Sequence, residues 1–482
     1  MNLPSTVKAR KRLVKLPDSL NQIANRIDRE GGVPVLVGGA VRDYLLGMES
    51  KDLDVEVFNL HYNQLVSILK KHGRVSAVGK AFGVLKLSLE GYHFDFSLPR
   101  NDLKTGIGHR GFRITTNPEM SFKAAASRRD FTINALGYNL ITKEILDEFD
   151  GRNDLSKRRL RVVAPETFVE DPLRVLRGIQ FAARFKLSVP QTTKEVFKSV
   201  VNDLDELPKE RIFEEISKLL LKSRNPSYGF IIADEVGVVK KLFPELNALK
   251  NVIHEPDWYP QRDSWAHTLN IVDEAARLRK ENKFENLSLM LASLCHEFSK
   301  LNTAEFVNLD WEHVNGSTSP NIIARCFLQR MTNEIKLVEN VDALLNGHQT
   351  MKKLFESTQV KNGDIRRLSL KVDIPLLVRL AEADHNARFK EREKPENFLA
   401  GEWLISRFHA LKLENSQNLQ PILKGRHLIS MGLKPGPFFG KILDNAYQKQ
   451  LDDELITLEE ALSWAQDQIE ASSDDRNKQP VS

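Results

Sequence analysis

The sequence predicts an α/β head followed by a mostly α-helical body, and three observations carry that prediction. Two short apolar runs rich in β-branched residues, 33–37 and 51–58, read as buried strands on either side of a glycine turn and a short helix. From Pro190 onward, apolar residues recur three and four apart, as in Glu210 to Leu221 and Ile271 to Leu278, which is helical spacing. At 482 residues the chain is too long for one hydrophobic core, and its length suits about three domains.

The elements follow in order. A basic lead, Lys8 to Arg12, precedes a helix over Leu20 to Ile27. Val33-Pro34-Val35-Leu36-Val37 forms the first strand, and Gly38-Gly39 then lets the backbone turn sharply and approach a ligand. Ala40 to Leu46 reads as a short helix stopped by Gly47. A helix that starts directly behind a glycine turn aims free N–H groups at an anion, phosphate above all. The chain contains no Gly-x-x-x-x-Gly-Lys-Ser/Thr, so this is not a P-loop. The second strand, Lys51 to Phe58, carries Asp52 and Asp54, and residues two apart on a strand share a face. Paired carboxylates repel unless a cation lies between them, and Mg²⁺ favours one or two carboxylates completed by substrate phosphates. Asp95, between Phe94 and Phe96, adds a carboxylate on another strand. Arg100 to Arg110 is basic, holds two glycines and lacks apolar periodicity, so it reads as a mobile loop.

Gly38-Gly39-Ala40-Val41-Arg42-Asp43 followed by Asp52-Leu53-Asp54 resembles the signature of the class II tRNA nucleotidyltransferase and bacterial poly(A) polymerase superfamily. Four more motifs resemble that family's, in its order. They are Arg128-Arg129-Asp130-Phe131-Thr132-Ile133-Asn134-Ala135, Asp150-Gly151-Arg152-Asn153-Asp154-Leu155, Glu170-Asp171-Pro172-Leu173-Arg174-Val175-Leu176-Arg177 and Glu210-Arg211-Ile212-Phe213-Glu214-Glu215. The resemblance is to bacterial CCA-adding enzymes that carry a C-terminal HD domain. It implies an α/β nucleotidyltransferase head with a mixed β-sheet, then a helical neck, an HD-like domain and C-terminal helices. The expected segments are a lead-in at 1–30, the head at 31–150, the neck at 151–250, the HD-like part at 251–395 and a tail at 396–482. Family members commonly carry arginine where this chain has Gln180, which puts one phosphate or RNA contact in question.

The reaction implied is attack of a tRNA 3′-hydroxyl on the α-phosphate of CTP or ATP, with pyrophosphate released and the terminal CCA built or repaired. In-line displacement needs charge neutralised on the entering and leaving oxygens, which metals held by shared carboxylates supply. Asp52 and Asp54 are then the Mg²⁺ ligands, and Asp95 is either a helper in deprotonating the hydroxyl or an ordinary strand carboxylate. The resemblance puts Gly38, Gly39, Arg42 and Asp43 near the triphosphate and ribose. Arg128 and Arg129 supply guanidinium groups suited to phosphate, Asn134 orients a ribose hydroxyl, and Asp130 pairs with either arginine. Asp171 fits a helix N-cap with Pro172 in the first turn, and Arg174 and Arg177 follow on that helix. As a base reader, Asp171 accepts from the exocyclic amine of cytosine or adenine while Arg174 donates to ring acceptors. Uracil and guanine carry a carbonyl oxygen in place of that amine, so one pair rejects both.

In the second half, His267, His296-Glu297, His313, His348 and Asp384 are spaced like the ligand set of an HD phosphohydrolase. Imidazole and carboxylate ligands on helices suit divalent metals. Glu297 stands where that family has aspartate, so the set is either a second metal site or a degenerate scaffold. Leu428 to Pro437 resembles the family's C-terminal segment.

Bulk properties narrow the alternatives. No apolar run approaches the length of a membrane span, and no signal-like segment follows the start. Two cysteines, Cys295 and Cys326, offer no disulfide framework or zinc pattern, so a cytoplasmic setting is expected. Residues 151–200 hold eleven basic and five acidic side chains, a local excess beyond the whole chain's +5, as expected of a surface that meets an RNA backbone. A CC-only or A-only enzyme, a poly(A) polymerase and an HD-type phosphohydrolase acting on RNA ends remain as alternatives.

Overall fold

The structure, a computed structural model, describes residues 16–78, 84–104, 112–253, 263–306, 321–389, 397–415 and 419–477. The basic lead 8–12, most of the expected loop (105–110) and His313 lie outside these residues. The chain forms two compact units, residues 1–244 and 245–482. No helix among the described residues is long and apolar enough to cross a membrane.

Among its described residues the first unit has nine strands: β1 (Val33–Val37), β2 (Asp52–Phe58), β3 (Val75–Val78), β4 (Val84–Leu89), β5 (Tyr92–Ser97), β6 (Arg100–Lys104), β7 (Phe112–Thr116), β8 (Gly137–Asn139) and β9 (Ile145–Leu146). Seven form one sheet in the order β3-β4-β5-β2-β1-β8-β9. The sheet is mixed, because β2 and β5 run parallel while its other neighbours are antiparallel. Helix α1 (Asp18–Arg29) places Leu20, Ile23, Ala24 and Ile27 on one buried stripe. Burying each of its large aliphatic side chains is worth about 1.5–3 kcal/mol. Helix α2 (Gly39–Leu45) begins one residue before the expected Ala40.

The expected loop at 100–104 is instead strand β6, paired antiparallel with β7 from Arg100↔Thr116 to Lys104↔Phe112. Its hydrogen-bonding partner lies beyond the stretch whose composition suggested a loop, so local apolar periodicity gave no sign of it.

Helices make up most of the chain beyond the sheet. Leu173–Phe185 and Lys209–Lys222 pack against each other. An aromatic knot fastens the first of them to the Arg128 motif. Phe131 lies edge-on to Phe168, Phe181 and Phe197 at centroid distances of 5.6, 6.0 and 6.2 Å. Gly178 lets this happen, since a Cβ there would fall 2.4 Å from Phe197 and 2.7 Å from Phe131. The second unit is helical and centres on Ser264–Arg277, Lys283–Cys295, Ile335–Glu356 and Ile374–Phe389. Toward its end, Leu423, Leu428, Ile442, Ala446, Leu455, Ala461 and Ala465 form a separate small core.

Candidate active site

Strand β2 sends Leu53, Val55 and Val57 into the core and turns Asp52, Asp54 and Glu56 to the other face. Parallel pairing sets Asp95 beside Asp54, and antiparallel pairing sets Lys86 beside Asp95, with Nζ 3.2 Å from Oδ2. Asp54 keeps an open tip but loses much of its bulk water to the cleft walls. That desolvation, opposed by Arg129 and reinforced by Asp95 and Asp52, raises its carboxyl above the ordinary value. A set of hard carboxylate oxygens, one of them disfavoured as an anion first by desolvation and then by Asp95 and Asp52, fits a divalent cation. Among the described residues, three-membered sets of ligand-type side chains with atoms within 4.8 Å occur only in the second unit. Mg²⁺ held by one or two carboxylates ordinarily completes its shell with waters and substrate phosphates. Glu56 was not among the expected site residues, although the alternation Asp-x-Asp-x-Glu carries the signal for it. Burial raises its carboxyl, against the pull of Arg129, Arg100 and Arg128.

The glycine turn sits at the end of β1. Gly38 has φ +73°, and a Cβ there would stand 2.8 Å from Nη1 of Arg129. One turn along α2, Arg42 is buried beneath the cleft. Its guanidinium donates to Asp43 at 2.7 and 2.8 Å and to Oδ1 of Asn134 at 2.6 Å. It also lies over the rings of Phe181 and Phe185, 5.0 and 4.5 Å from their centroids. The chain of contacts continues, because Asn134 donates to Asp130 at 2.9 Å and Arg177 donates to the other oxygen of Asp130 at 2.8 Å. Desolvation alone would raise the Asp130 carboxyl. Arg177, Asn134 and the Phe131 N–H outweigh it and hold the group below its ordinary value.

This corrects one expectation. Asp130 pairs with Arg177, not with its sequence neighbours. Arg128 turns instead to the carbonyl of Arg100, and Arg129 turns to Glu56, with Nη2 3.6 Å from Oε2. Asn134, expected to orient a ribose hydroxyl, spends both ends of its amide on Arg42 and Asp130.

The opposite wall comes from the Asp171 segment. Helix Leu173–Phe185 starts after Pro172, and Oδ1 of Asp171 accepts from the Leu173 N–H at 3.2 Å. Oδ2 of Asp171 accepts from Arg211 at 3.4 Å, which brings the Glu210–Glu215 motif into the site. Arg174 donates to the backbone carbonyls of Thr167 (2.7 Å) and Arg128 (3.0 Å), so its guanidinium is fixed in aim. Gln180 is buried and does not line the cleft. In the third motif, Asp154 is fully buried and accepts from Thr132 (2.6 Å), Arg159 (2.7 Å) and Arg161 (3.0 Å), a structural clamp.

These side chains enclose a cavity of about 480 Å³ lined by Gly38, Gly39, Asp54, Asp130, Asn134, Asp171, Leu173, Phe181 and six arginines: 42, 128, 129, 174, 177 and 211. Asp52, Asp95 and Asp43 stand outside that lining, Asp52 and Asp95 on the same sheet face as Asp54 and Asp43 against Arg42. Phe181 and Arg211 were not expected there; the aromatic spacing after Arg177 and the fifth motif carried what signal there was.

In the second unit the expected cluster closes. Nε2 of His267 is 3.0 Å from Oδ1 of Asp384, and Nε2 of His296 is 3.7 Å from the same oxygen and 3.9 Å from Oε1 of Glu297. His348 joins at 3.6 Å from the other Asp384 oxygen. Burial lowers His296, and burial with repulsion from His296 lowers His348 to about 3. Both imidazoles are therefore neutral, as ligands must be. Arg388 pairs with Asp384, and the second Glu297 oxygen is tied to Ser264 (2.7 Å) and Lys300 (2.6 Å).

A mixed sheet ending in a glycine turn, with paired strand carboxylates below it and converging arginines above, defines a nucleotidyltransferase. Residues 35–161 match the poly A polymerase head domain family, and residues 186–250 match the family described as a probable RNA and SrmB-binding site of polymerase A. The multifunctional CCA protein of Mannheimia succiniciproducens is 32% identical over 352 residues, spanning 70% of this chain and 78% of that protein. Its counterpart in Pasteurella multocida is 32% identical over 373 residues, spanning 75% and 86%. The chain belongs to the class II tRNA nucleotidyltransferase, or CCA-adding enzyme, family. Its fold resembles the Bacillus stearothermophilus CCA-adding enzyme in complex with CTP (TM-score 0.67, 20% identity, 95% of this chain and 98% of that one). It also resembles the Thermotoga maritima enzyme complexed with tRNA (TM-score 0.59, 21% identity, 95% and 97%). Nucleotidyltransferases of this kind need a divalent metal.

Proposed function

We propose that this chain adds or repairs the 3′-terminal CCA of tRNA from CTP and ATP, without a nucleic acid template and with release of pyrophosphate. One observation carries the reading. A single cleft presents Asp54 on its floor, with Asp52 and Asp95 on the same face, and Asp171, Arg174 and Arg211 on its far wall. Six arginines line the space between, enough cationic charge for a triphosphate.

In this reading Asp52 and Asp54 hold Mg²⁺, which when bound supplies charge neutralisation along the in-line displacement. Asp95, beside Asp54 in the sheet, takes the proton of the attacking hydroxyl. Gly38 and Gly39 let phosphate approach the backbone, and Arg128 and Arg129 meet its oxygens. Arg42, Asp43, Asp130, Asn134 and Arg177 form the connected bed beneath the ribose. Asp171 accepts from the amine of C or A and repels the carbonyl of U or G, while the fixed Arg174 donates beside it. The RNA backbone runs along the basic 151–200 stretch, and the setting is the cytoplasm, in keeping with two free cysteines. The five-segment division at 30, 150, 250 and 395 is kept as part of this proposal, supported at its end by the separate C-terminal core.

The test is extension of tRNA lacking its CCA end, and of unstructured RNA, with CTP, ATP or both, followed by sequencing. CCA on tRNA with both nucleotides is expected. Products ending in CC or gaining only A identify a partial enzyme, A-tails on unstructured RNA a poly(A) polymerase, and no extension defeats the reading.

A second reading is favoured by the closed cluster in the second unit. His267, His296, Glu297 and Asp384 would hold a divalent cation there, which would serve phosphohydrolysis at RNA ends. Metal analysis of native protein and the His267→Ala variant checks it; equal metal content in the two refutes it.

A further inference from the structure

Three carboxylates line the open face of β2, and their neighbours across the sheet differ. Asp54 stands opposite Asp95, whereas Glu56 stands opposite Ser97. Glu56 faces an arginine instead, Arg129, with Nη2 3.6 Å from Oε2. The same guanidinium has its Nη1 over Gly38, where a Cβ would come within 2.8 Å, and its charge also acts on Asp54. One arginine thus lies within the field of two carboxylates on the same strand face.

We propose that Glu56 is a positioning residue: it anchors Arg129 away from Asp54 and so keeps the Asp54 oxygens open to the divalent cation. This rests on the nucleotidyl-transfer reading above. Asp54 has Asp52 two residues before it and Asp95 across the sheet, where Glu56 has Ser97, so two further carboxylates add to its pull on Arg129, one of them paired to Lys86. An unanchored guanidinium moves to the more negative carboxylate, and a fork-on bidentate pair occupies both of its oxygens. Glu56 prevents this by being the better-enclosed partner, with 12% of its side chain exposed, whereas Asp54 is exposed. The guanidinium is then held at the glycine turn, where phosphate arrives. Metal and phosphate sites stay apart on adjacent oxygens and nitrogens, although the charges that form them attract.

The test reads Mn²⁺ binding to the full chain by electron paramagnetic resonance of the free ion, without nucleotide. The head's share is the part lost in Asp52→Ala. Glu56→Gln, which keeps the shape, is expected to weaken that share about tenfold. Glu56→Asp, which keeps the charge but shortens the reach, is expected to behave like Glu56→Gln. In an Arg129→Ala background, Glu56→Gln is expected to change binding by no more than about twofold, because no guanidinium remains to compete. Three results would each overturn the proposal: unchanged Mn²⁺ affinity in Glu56→Gln, native affinity in Glu56→Asp, or a weakening that persists without Arg129. The first removes any effect, the second makes charge alone sufficient, and the third makes Glu56 act directly on the metal. Incorporation by the native chain, run in parallel, reports separately on the underlying reading. An inactive native chain defeats that reading, while the Mn²⁺ series still decides the role of Glu56.

Discussion

Asp130 is where most of the cleft's order converges, for it holds Arg177 directly and Arg42 through Asn134. Its folded carboxyl lies below the ordinary 3.8, so its stabilisation is complete above that value and is lost as pH falls through the folded one. Asp130→Asn is expected to cost about 1–3 kcal/mol at neutral pH, by denaturant titration, with the gap to native closing under strong acid. Asp54→Asn should cut incorporation about a hundredfold or more while tRNA binding holds, measured by filter retention. Asp171→Ala should raise misincorporation of UTP about tenfold or more relative to CTP, read in sequenced products. At this scale the sequence was legible wherever placement follows local period: the shared face of Asp52 and Asp54 by their spacing, the strand position of Asp95 by its apolar flanks. Partners separated by long stretches were not legible. Which of three arginines reaches Asp130 depends on how a helix 47 positions away packs, and no local pattern states that.

Elements set the distance between the cleft's walls, and the aromatic knot at Phe131 sets the elements. Gly178→Ala would drive a methyl into Phe197 and Phe131. Its expected cost is about 1–3 kcal/mol in a denaturation curve, with weaker nucleotide binding because Arg174 and Arg177 ride on the same helix. Helices and central strands were readable from period and glycine punctuation. Strand β6 was not, since what makes it a strand is its pairing with β7, which lies beyond the stretch whose composition says loop. The knot itself was hidden too: four phenylalanines spread over 131–197 look like ordinary core until the fold joins them.

Across the whole molecule, the two units answer acid differently. His348, driven down to about 3 by burial and by His296, stays neutral when folded and charges when unfolded. Its stabilising contribution is therefore full above the ordinary 6.5 and drains as pH falls toward the folded value, by about 1.4 kcal/mol per pH unit for each such group. His296 acts in the same direction. With metal chelated, the second unit is expected to lose denaturant resistance between pH 7 and pH 5 before the first does. Tryptophan fluorescence follows the second unit, because all five tryptophans lie beyond Pro244, and far-UV circular dichroism of the whole chain supplies the comparison. The division into an α/β head and a helical body was plain in the sequence; the partners that neutralise the second unit's acids, Lys300 and Arg388, were not. One feature of the head bears on how such a molecule changes over generations. The anchors that aim Arg174 are amide oxygens of the main chain, which every residue type supplies. Side chains at 128 and 167 can change without re-aiming that guanidinium. If the proposed base reading holds, heritable shifts in nucleotide alphabet arise at Asp171 or Arg174 themselves.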